Sequence, residues 1–431
     1  MDDELCDVVV VGAGIAGTLT AILLAREGKE VYLLERGKQA GDKNLSGGVF
    51  YCRVMEQIFP DFVDKAPIER VITRNTLGVL TSDSYIGLDY RDKRLATPVN
   101  AVSVLRAKLD SWLAEQAEEE GVMYMPEAKV DALLRDGKGA VTGVQVGEDE
   151  VPARIVVSAE GVNSFLAREA GLRRDQETHE LAVGVKSLWK LGRDTINERF
   201  NVSSQQGAAY ALVGDCTRGV AGGGFLYTNS DTVSIGVVLR LDSLTKSGFS
   251  SSDIHDYFVQ HDHIQQLLQG GELVEYGCHM VNEGGLSMLK PMVKDGFVAV
   301  GDAAGLTLNT GLTIRGMDLA AASAQAAATG ICQALDSGDY SARGLIGYPK
   351  AFKDSWAGQD MLTYRDAPSF FDNDRIYHDY GPVIASILYN IYCHDLTPRT
   401  PLRHLAVDAF KNAPFSVSDF VRDMYGGMTS L

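Results

Sequence analysis

Near its start, the chain has an apolar run that leads directly into a glycine-rich turn. Residues Asp7 to Val11 are followed by Gly12-x-Gly14-x-x-Gly17, and Thr18 to Glu27 has the composition of a helix. In such a strand-turn-helix unit the first glycine permits a tight turn, and the second lets the backbone approach a pyrophosphate. The third lets the helix pack closely on the strand. The diphosphate then lies at the helix N-terminus, where free N–H groups and the helix dipole favour negative charge. The pattern therefore predicts a dinucleotide site.

An acidic residue supports this interpretation. A second apolar run, Val31 to Leu34, ends in Glu35, eighteen residues after Gly17. A carboxylate at about this distance binds ribose hydroxyls in dinucleotide-binding units. The alternative is a glycine-rich turn in an unrelated α/β domain, but such a turn needs neither the preceding strand, the following helix nor the acid.

Length and charge limit the function classes. A chain of 431 residues is long enough for two or three lobes. Its net charge of −17 argues against nucleic acid and against a basic patch for anionic lipid. Membrane contact would have to come from apolar insertion or from a partner. No apolar run reaches the roughly 18 residues that span a bilayer, and no signal-peptide pattern is present, so we expect a cytoplasmic protein.

The cysteines argue against a metal centre. They are Cys6, Cys52, Cys216, Cys278, Cys332 and Cys393. None forms a C-x-x-C pair, so familiar spacings for zinc or an iron–sulfur cluster are missing. We expect buried, reduced cysteines of a cytoplasmic protein. The close pair His261-x-His263 lies in a polar, helix-like stretch, and we expect no metal site there either.

The next part of the chain predicts the remainder of a nucleotide-binding lobe and a second sheet. Residues 104–120 form an amphipathic helix with Arg106 in its first turn, where the side chain either reaches a phosphate or is exposed to solvent. Residues 129–146 have the pattern of a β-meander. The run Ile155 to Gly161 is expected to be the last parallel strand. Residues 181–241 alternate and are rich in glycine, which favours a mostly antiparallel sheet.

Later in the chain a second strand-turn-helix pattern follows. The buried run Gly296 to Val300 ends in Gly301-Asp302, and a long alanine-rich helix is predicted over 313–335. A Gly-Asp turn points a carboxylate at hydroxyl groups, as Glu35 does, but at the other end of an extended cofactor. The helix N-terminus, expected just after Gly311, is a second positive dipole end. This pairing with the opening turn favours FAD over NAD.

Two stretches permit more than one interpretation. The polar loop Gly41 to Gly48 either approaches a flat ligand or is a plain surface loop. From Tyr348 onward the chain is predicted to be mostly helical. Its apolar segment Val383 to Cys393 is interpreted as a buried core helix, with an interfacial or partner-facing helix as the alternative.

These motifs together resemble a known superfamily. It is the FAD-binding fold shared by aromatic hydroxylases, geranylgeranyl reductases and electron-transfer-flavoprotein:quinone oxidoreductases. The mid-chain Asp-Gly motif of that fold is represented by Glu160-Gly161, a variant typical of the quinone oxidoreductase branch. More specific are the segments 43–48, 223–228, 282–285 and 309–318. With them the chain resembles, from about residue 5 onward, the C subunit of Fix/Etf electron-transfer complexes.

The resemblance implies a fold, a cofactor and its site. The fold class is mixed α/β: a Rossmann-like FAD-binding domain (1–180 and 286–345), interleaved with an antiparallel-sheet quinone domain (181–285), and a helical C-terminal region (346–431). FAD is expected to bind non-covalently. The implied cofactor-binding residues are Gly12, Ala13, Gly14, Ile15, Ala16, Gly17, Glu35, Arg36, Ser46, Gly47, Gly48, Arg106, Val130, Ala159, Glu160, Gly161, Gly301, Asp302, Gly311, Leu312 and Thr313.

The resemblance also implies partners: the α and β subunits of electron-transfer flavoprotein, a ferredoxin-like subunit and a membrane quinone. The protein is then peripheral at the cytoplasmic face of the inner membrane. Larger quinone oxidoreductases of the eukaryotic type carry a [4Fe–4S] domain in the same chain. The four cysteines that such a domain needs are missing here, so a separate subunit supplies the cluster or none is present.

Electron transfer is favoured over direct NADH oxidation because the chain has a single GxGxxG unit, which the FAD occupies. A reductant that cannot bind as NADH can still dock as a protein. No side chain stands out in the sequence as an obligatory acid or base, and water is sufficient to protonate a quinone. A prenyl reductase, an aromatic monooxygenase and a non-catalytic FAD-bearing subunit are the alternatives.

Overall fold

The computed structural model describes residues 5–42, 44, 47–289, 291–311 and 313–431. The strands, in chain order, are β1 (Cys6–Val11), β2 (Val31–Leu34), β3 (Gly48–Tyr51), β4 (Ile68–Leu80), β5 (Tyr85–Arg91), β6 (Ala101–Val104), β7 (Met123–Met125), β8 (Val130–Arg135), β9 (Val141–Val146), β10 (Asp149–Ser158), β11 (Leu181–Lys190), β12 (Gln206–Gly214), β13 (Gly222–Thr228), β14 (Thr232–Arg240), β15 (Glu272–Asn282), β16 (Val293–Lys294), β17 (Phe297–Ala299), β18 (Leu308–Asn309) and β19 (Ile314–Arg315).

The helices are α1 (Ile15–Arg26), α2 (Arg53–Ile58), α3 (Phe62–Lys65), α4 (Arg106–Glu119), α5 (Phe165–Glu169), α6 (Arg193–Arg199), α7 (Leu241–Ser247), α8 (Ser251–Val259), α9 (Asp262–Leu268), α10 (Met317–Ser337), α11 (Gly347–Asp354), α12 (Trp356–Thr363), α13 (Ala367–Phe370), α14 (Arg375–His378), α15 (Tyr380–Tyr392), α16 (Leu402–Lys411) and α17 (Val417–Ser430). In the described part of the chain, no helix combines the length and the apolar character that crossing a bilayer demands.

The first sheet has a parallel centre. Its order is β16-β17-β10-β1-β2-β7, with parallel pairing from β17 to β7. Val8, Val9 and Val10 of β1 are fully buried, as expected for a strand with both faces covered. β10 was expected to be the last parallel strand, and this is wrong: β17 pairs with its other edge. The predicted meander is present as β8 and β9, which continue into β10.

The second sheet is mostly antiparallel, as predicted. Its order is β15-β11-β14-β13-β12-β4-β6-β3, and β5 pairs with β4. The exception is the parallel pair β12 and β4. The strands β3 to β6 come from residues 48–104, which the sequence interpretation put in the FAD-binding domain, so the chain passes between the two sheets more than once. Ile254, Phe258 and Ile264 of α8 and α9 pack against this sheet in a second hydrophobic core.

Three expectations about local structure are corrected. The long helix α10 begins at Met317, because residues 314–315 pair instead with β18 in a short hairpin. Helix α15 is not a core helix: of its residues only Gly381 is buried, and Tyr389 and Tyr392 are 68% and 78% exposed. Of the cysteines expected to be buried, Cys278 is exposed on the edge strand β15, and Cys332 and Cys393 are only partly buried.

Candidate functional site

A large cavity passes between the two sheets. It has a volume of about 1720 Å³ and begins at the edge of the first sheet where the parallel strands end. Gly12 follows β1, Glu35 follows β2, Ala159 follows β10 and Asp302 comes shortly after β17, and all four line the cavity. Because the carboxyl ends of parallel strands meet at one edge, residues from distant parts of the sequence are gathered there. This edge is the usual ligand crevice of an open parallel sheet.

The opening glycine turn has the close packing that its pattern predicts. Gly12 adopts φ +105°, and a Cβ on it would lie 2.5 Å from the Ala159 carbonyl oxygen. A Cβ on Gly17 would overlap the Gly12 carbonyl oxygen. At Gly14, by contrast, the nearest atom to an added Cβ is Arg106 Nη2 at 3.5 Å, so this position is open to the cavity. The turn therefore fits a group that must approach the backbone.

The start of helix α1 favours an anion. Gly14 is the residue before the helix, it offers no side-chain cap, and no acidic residue lies in the first turn. The first N–H groups of a helix have no partner within the helix and carry the positive end of its dipole. Together with the open position at Gly14, these N–H groups fit a diphosphate.

Glu35 is fixed beside this turn by backbone hydrogen bonds. Its Oε2 accepts a hydrogen bond from the N–H of Ala13 at 3.0 Å, and its Oε1 accepts one from the N–H of Gly37 at 2.7 Å. A carboxylate has about four acceptor positions. The two bonds orient the group, and the remaining lone pairs are available to the hydroxyls of a ribose.

A cation lies over the same turn. Arg106, in the first turn of α4, donates from Nε and Nη2 to both oxygens of Asp110, at 2.8 and 2.7 Å. Asn44 donates to the same carboxylate at 2.5 Å. Asp110 is buried, so the pair keeps the guanidinium in one orientation at the cavity wall. Of the two options from sequence, the structure places Arg106 at the site and not in solvent.

Asp302 is positioned by a network around the turn that carries it. Arg173 donates to the carbonyl oxygens of Ala303 at 2.8 Å and of Asp302 at 3.3 Å, and Asn282 donates to the latter at 3.0 Å. Burial raises the pKa of the Asp302 carboxyl, and the charge of Arg106 opposes that rise. A buried carboxyl on the cavity wall gains from a hydroxyl donor such as that of a polyol chain.

The structure locates the other residues expected at the site. Of these, Ala13, Gly17 and Gly301 are buried and are not among the residues that line the cavity. The cavity is lined by Gly12, Gly14, Ile15, Ala16, Glu35, Arg36, Gly47, Gly48, Arg106, Val130, Ala159, Glu160, Gly161, Asp302, Gly311 and Thr313. Ser46 and Leu312 lie outside the described residues.

Three of the expected residues lie in contexts that differ from the sequence interpretation. Glu160 Oε2 accepts from the N–H of Leu166 and from Ser158 Oγ, both at 2.9 Å, so one of its oxygens serves the start of helix α5. Gly311 and Thr313 lie in the turn of the β18–β19 hairpin and not at a helix N-terminus. The first turn of α10 instead carries Asp318, which pairs with Arg315 at 2.6 Å.

Some cavity residues were missed from the sequence. Lys186 on β11 donates to the Gly47 carbonyl oxygen at 2.6 Å, and Tyr227 donates to the same oxygen at 2.7 Å. Burial, followed by the charge of Arg106, lowers the pKa of Lys186 to about 8. In the sequence, the signal that could have identified Lys186 was its position within a largely apolar strand. Glu283, in the segment 282–285, also lines the cavity.

The far part of the cavity is lined mainly by apolar and aromatic residues, with some charged ones such as Arg240, Asp372 and Asp423 among them. It is bounded by the second sheet and by helices of the C-terminal region. Its apolar and aromatic residues include Ile72, Leu77, Tyr210, Leu212, Phe225, Met280, Phe370, Phe371, Ile376, Tyr377, Tyr380, Ile384, Phe420, Met424 and Leu431. The cavity therefore joins a polar end that suits a dinucleotide to an apolar end that suits a second, hydrophobic molecule.

Comparisons with known proteins agree with this division. Residues 5–197 match the FAD binding domain family, and residues 181–281 match the ubiquinone-binding domain of ETF-QO. The probable electron transfer flavoprotein-quinone oxidoreductase YdiS of Escherichia coli K12 is 41% identical over 100% of both chains. Protein FixC of the same strain is 40% identical, again over 100% of both.

Solved structures share the fold. A geranylgeranyl bacteriochlorophyll reductase-like protein from Thermoplasma acidophilum has a TM-score of 0.72 at 19% identity, over 98% of this chain and 99% of that one. The flavin-dependent brominase Bmp2 has a TM-score of 0.63 at 18% identity, over 97% and 99%. These similarities confirm the mixed α/β fold class.

Fold, site and matches define an oxidoreductase that uses FAD as its cofactor. More narrowly, the chain belongs to the family of FixC and the electron-transfer-flavoprotein–quinone oxidoreductase-type flavoproteins.

Replacing Glu35 with alanine tests the polar end of the site. We expect FAD to bind about 10- to 100-fold more weakly, because hydrogen bonds to a charged group contribute about 1.5–3 kcal/mol. FAD titration of the apoprotein, followed by flavin fluorescence, measures the change. Glu27→Gln, on an exposed glutamate at the end of α1, is the matched control and should bind FAD normally. Equal affinity in the two variants would contradict the assignment.

Proposed function

We propose that this protein accepts electrons from reduced electron-transfer flavoprotein and passes them to a membrane quinone. In this proposal it is the C subunit of a Fix/Etf ABCX-type bifurcating complex, and a ferredoxin-like subunit supplies the iron–sulfur cluster. The observation that carries the proposal is the continuity of the cavity, which joins the polar FAD end to an apolar end in a family of this type.

The polar end supplies binding and orientation. The glycine turn and Arg106 are the proposed diphosphate site, Glu35 the ribose site, and Asp302 the site of the polyol chain. Bound FAD supplies the redox chemistry, taking up and releasing two electrons. The other site residues expected from the sequence are proposed to complete this surface.

The apolar end is the proposed quinone site. Its mainly aromatic and aliphatic lining suits a flat ring with an isoprenoid tail. The relative YdiS is described as a probable quinone oxidoreductase, which supports this choice of substrate.

A protein reductant is proposed because the described residues place one glycine-rich strand-turn-helix at a parallel sheet edge, and the FAD occupies it. The separate iron–sulfur subunit is proposed because the six cysteines lack cluster spacing.

Membrane association is proposed through the C-terminal helices. Exposed apolar side chains are concentrated there, among them Tyr389, Tyr392, Leu396, Val421 and Met428. A net charge of −17 disfavours attraction to anionic lipid, so apolar insertion or a partner subunit is required. The proposed location is the cytoplasmic face of the inner membrane.

The test uses the FAD-loaded protein with short-chain ubiquinone-1. Reduced electron-transfer flavoprotein should drive quinone reduction, NADH alone should not, and protein stripped of FAD should be inactive. Quinone reduction that persists without FAD would refute the proposal. Consumption of NADH and oxygen by the protein alone would indicate a monooxygenase. Hydrogenation of a geranylgeranyl lipid by the chemically reduced protein would indicate a prenyl reductase, the principal alternative.

A further inference from the structure

One buried carboxyl group of the cavity wall has no part in the proposed FAD site. Glu283 follows directly after β15, and its N–H donates to the Glu180 carbonyl oxygen at 2.7 Å. It lines the cavity, and the pKa of the nearby Tyr377 phenol is raised by burial and also by the charge of Glu283, so Glu283 lies beside the apolar end.

The carboxyl of Glu283 is only partly satisfied. Oε1 accepts a hydrogen bond from Asn309 Nδ2 at 2.9 Å. Oε2 is buried and receives no hydrogen bond from any residue that the structure describes. A buried carboxylate with one free oxygen is costly, whereas a neutral carboxylic acid is not, and it has an O–H to donate.

Neighbouring positive charges do not fully offset the cost of burying a negative charge on Glu283. The charge of Arg240 opposes the rise that burial causes in the pKa of Glu283, but Arg240 is paired with Asp242 at 2.7 Å and also with Asp372. The hydroxyl of Tyr377, from α14, donates to the Phe371 carbonyl oxygen at 3.0 Å and is therefore engaged elsewhere. Burial raises the pKa of Glu283 to about 7, against the opposing effects of the Asn309 hydrogen bond and the Arg240 charge.

We propose that Glu283 is the catalytic acid that donates a proton to a quinone oxygen. This inference rests on the proposed quinone reduction. Reduction of a quinone to a hydroquinone takes two electrons, supplied by reduced FAD, and two protons. The O–H bond of Glu283 breaks, an O–H bond forms on one quinone oxygen, and solvent supplies the second proton. The Glu283 carboxylate then regains its proton from solvent.

The hydrogen bond from Asn309 helps Glu283 to release its proton. The amide N–H of Asn309 already donates to Oε1, so it stabilises the carboxylate that remains after the proton has left. An acid whose pKa lies near the working pH can both donate a proton and recover it, which is the condition for efficient general acid catalysis.

Glu283→Gln in the FAD-loaded protein tests the role. The bound FAD is reduced by light, and its reoxidation is followed in a stopped-flow instrument from pH 5.5 to 9. One acceptor is ubiquinone-1, which takes up protons. The other is ferrocenium, which accepts electrons without protons. Glu272→Gln, an exposed glutamate on the same strand β15, is the matched control.

The wild type and Glu272→Gln should reduce ubiquinone-1 at a rate that is constant below pH 7 and falls about tenfold per pH unit above it, since the protonated acid disappears. Glu283→Gln should be about 100-fold slower at pH 6, without this pH dependence. Its flavin spectrum and its rate with ferrocenium should be unchanged. Asn309→Ala keeps Glu283 but removes the donor, and should move the fall in rate to higher pH by about one unit.

The other outcomes distinguish a failure of the role of Glu283 from a failure of the proposed quinone reduction. If Glu283→Gln reduces ubiquinone-1 with the rate and pH profile of the wild type, or slows both acceptors equally, Glu283 is not the acid while quinone reduction still stands. If the wild type transfers electrons to ferrocenium but not to ubiquinone-1, the proposed function fails, and the role of Glu283 with it.

Discussion

Replacing Gly14 with valine is expected to abolish FAD binding while the protein still folds. Gly14 has φ −84°, a conformation that any residue adopts, and an added Cβ meets only Arg106 Nη2 at 3.5 Å. The valine side chain would therefore project into the cavity where the diphosphate is proposed to lie. We expect a loss of at least about 3 kcal/mol of binding free energy, more than about 100-fold in affinity.

The flavin absorbance of the purified protein and its far-ultraviolet circular dichroism measure the two effects separately. Gly17→Ala is the contrasting variant, because its Cβ would overlap the Gly12 carbonyl oxygen inside the strand-helix packing. It should lower the stability of the fold itself. A folded, yellow Gly14→Val protein would show that the diphosphate does not lie against this turn.

Among the variants proposed for this protein, replacement of Arg70 with methionine is expected to lower the free energy of unfolding most. This arginine of β4 is 1% exposed, and it donates to the carbonyl oxygens of Asn229 at 2.5 Å and Ser230 at 2.9 Å. It also donates to the carbonyl oxygens of Ser203 at 2.9 Å and Gln206 at 3.0 Å. Methionine fills a similar volume but leaves the buried carbonyl of Asn229 and the three partly buried ones unpaired. We expect the free energy of unfolding to fall by about 3–5 kcal/mol.

The midpoint of urea unfolding, followed by circular dichroism, measures this loss. The matched control is Arg94→Met, since Arg94 is exposed and forms a surface ion pair with its neighbour Asp92. An exposed ion pair contributes little to stability, so this midpoint should not change. If both variants unfold at the wild-type urea concentration, the buried network of Arg70 does not stabilise the second sheet.

The FAD end of the site was predictable because its signals are local. Gly12, Gly14 and Gly17 act within one turn, and Glu35 follows the next parallel strand, so strand and helix periodicity sufficed to place them. Arg106 was identified by its position in the first turn of α4. Its orientation depends on Asp110, one helical turn later, which sequence spacing alone did not single out.

The failures of prediction have a tertiary origin. Residues 314–315 have helical neighbours, but their hairpin with β18 and the pairing of Arg315 with Asp318 and Asp360 delay the start of α10. The apolar composition of α15 suggested a core helix. The fold instead leaves Tyr389 and Tyr392 at the surface, and of the residues of this helix only Gly381 is fully buried.

By itself the sequence determined the fold class, the strand-turn-helix at the polar end of the cavity and the family, since these follow from short-range spacing of glycine, apolar and acidic residues. Only the tertiary structure decided which distant groups meet. It brought Asp302 to the same edge as Glu35 through parallel pairing of β17 with β10, and β10 with β1. It also enclosed Glu283 beside an apolar cavity, where burial and not sequence context sets its acidity.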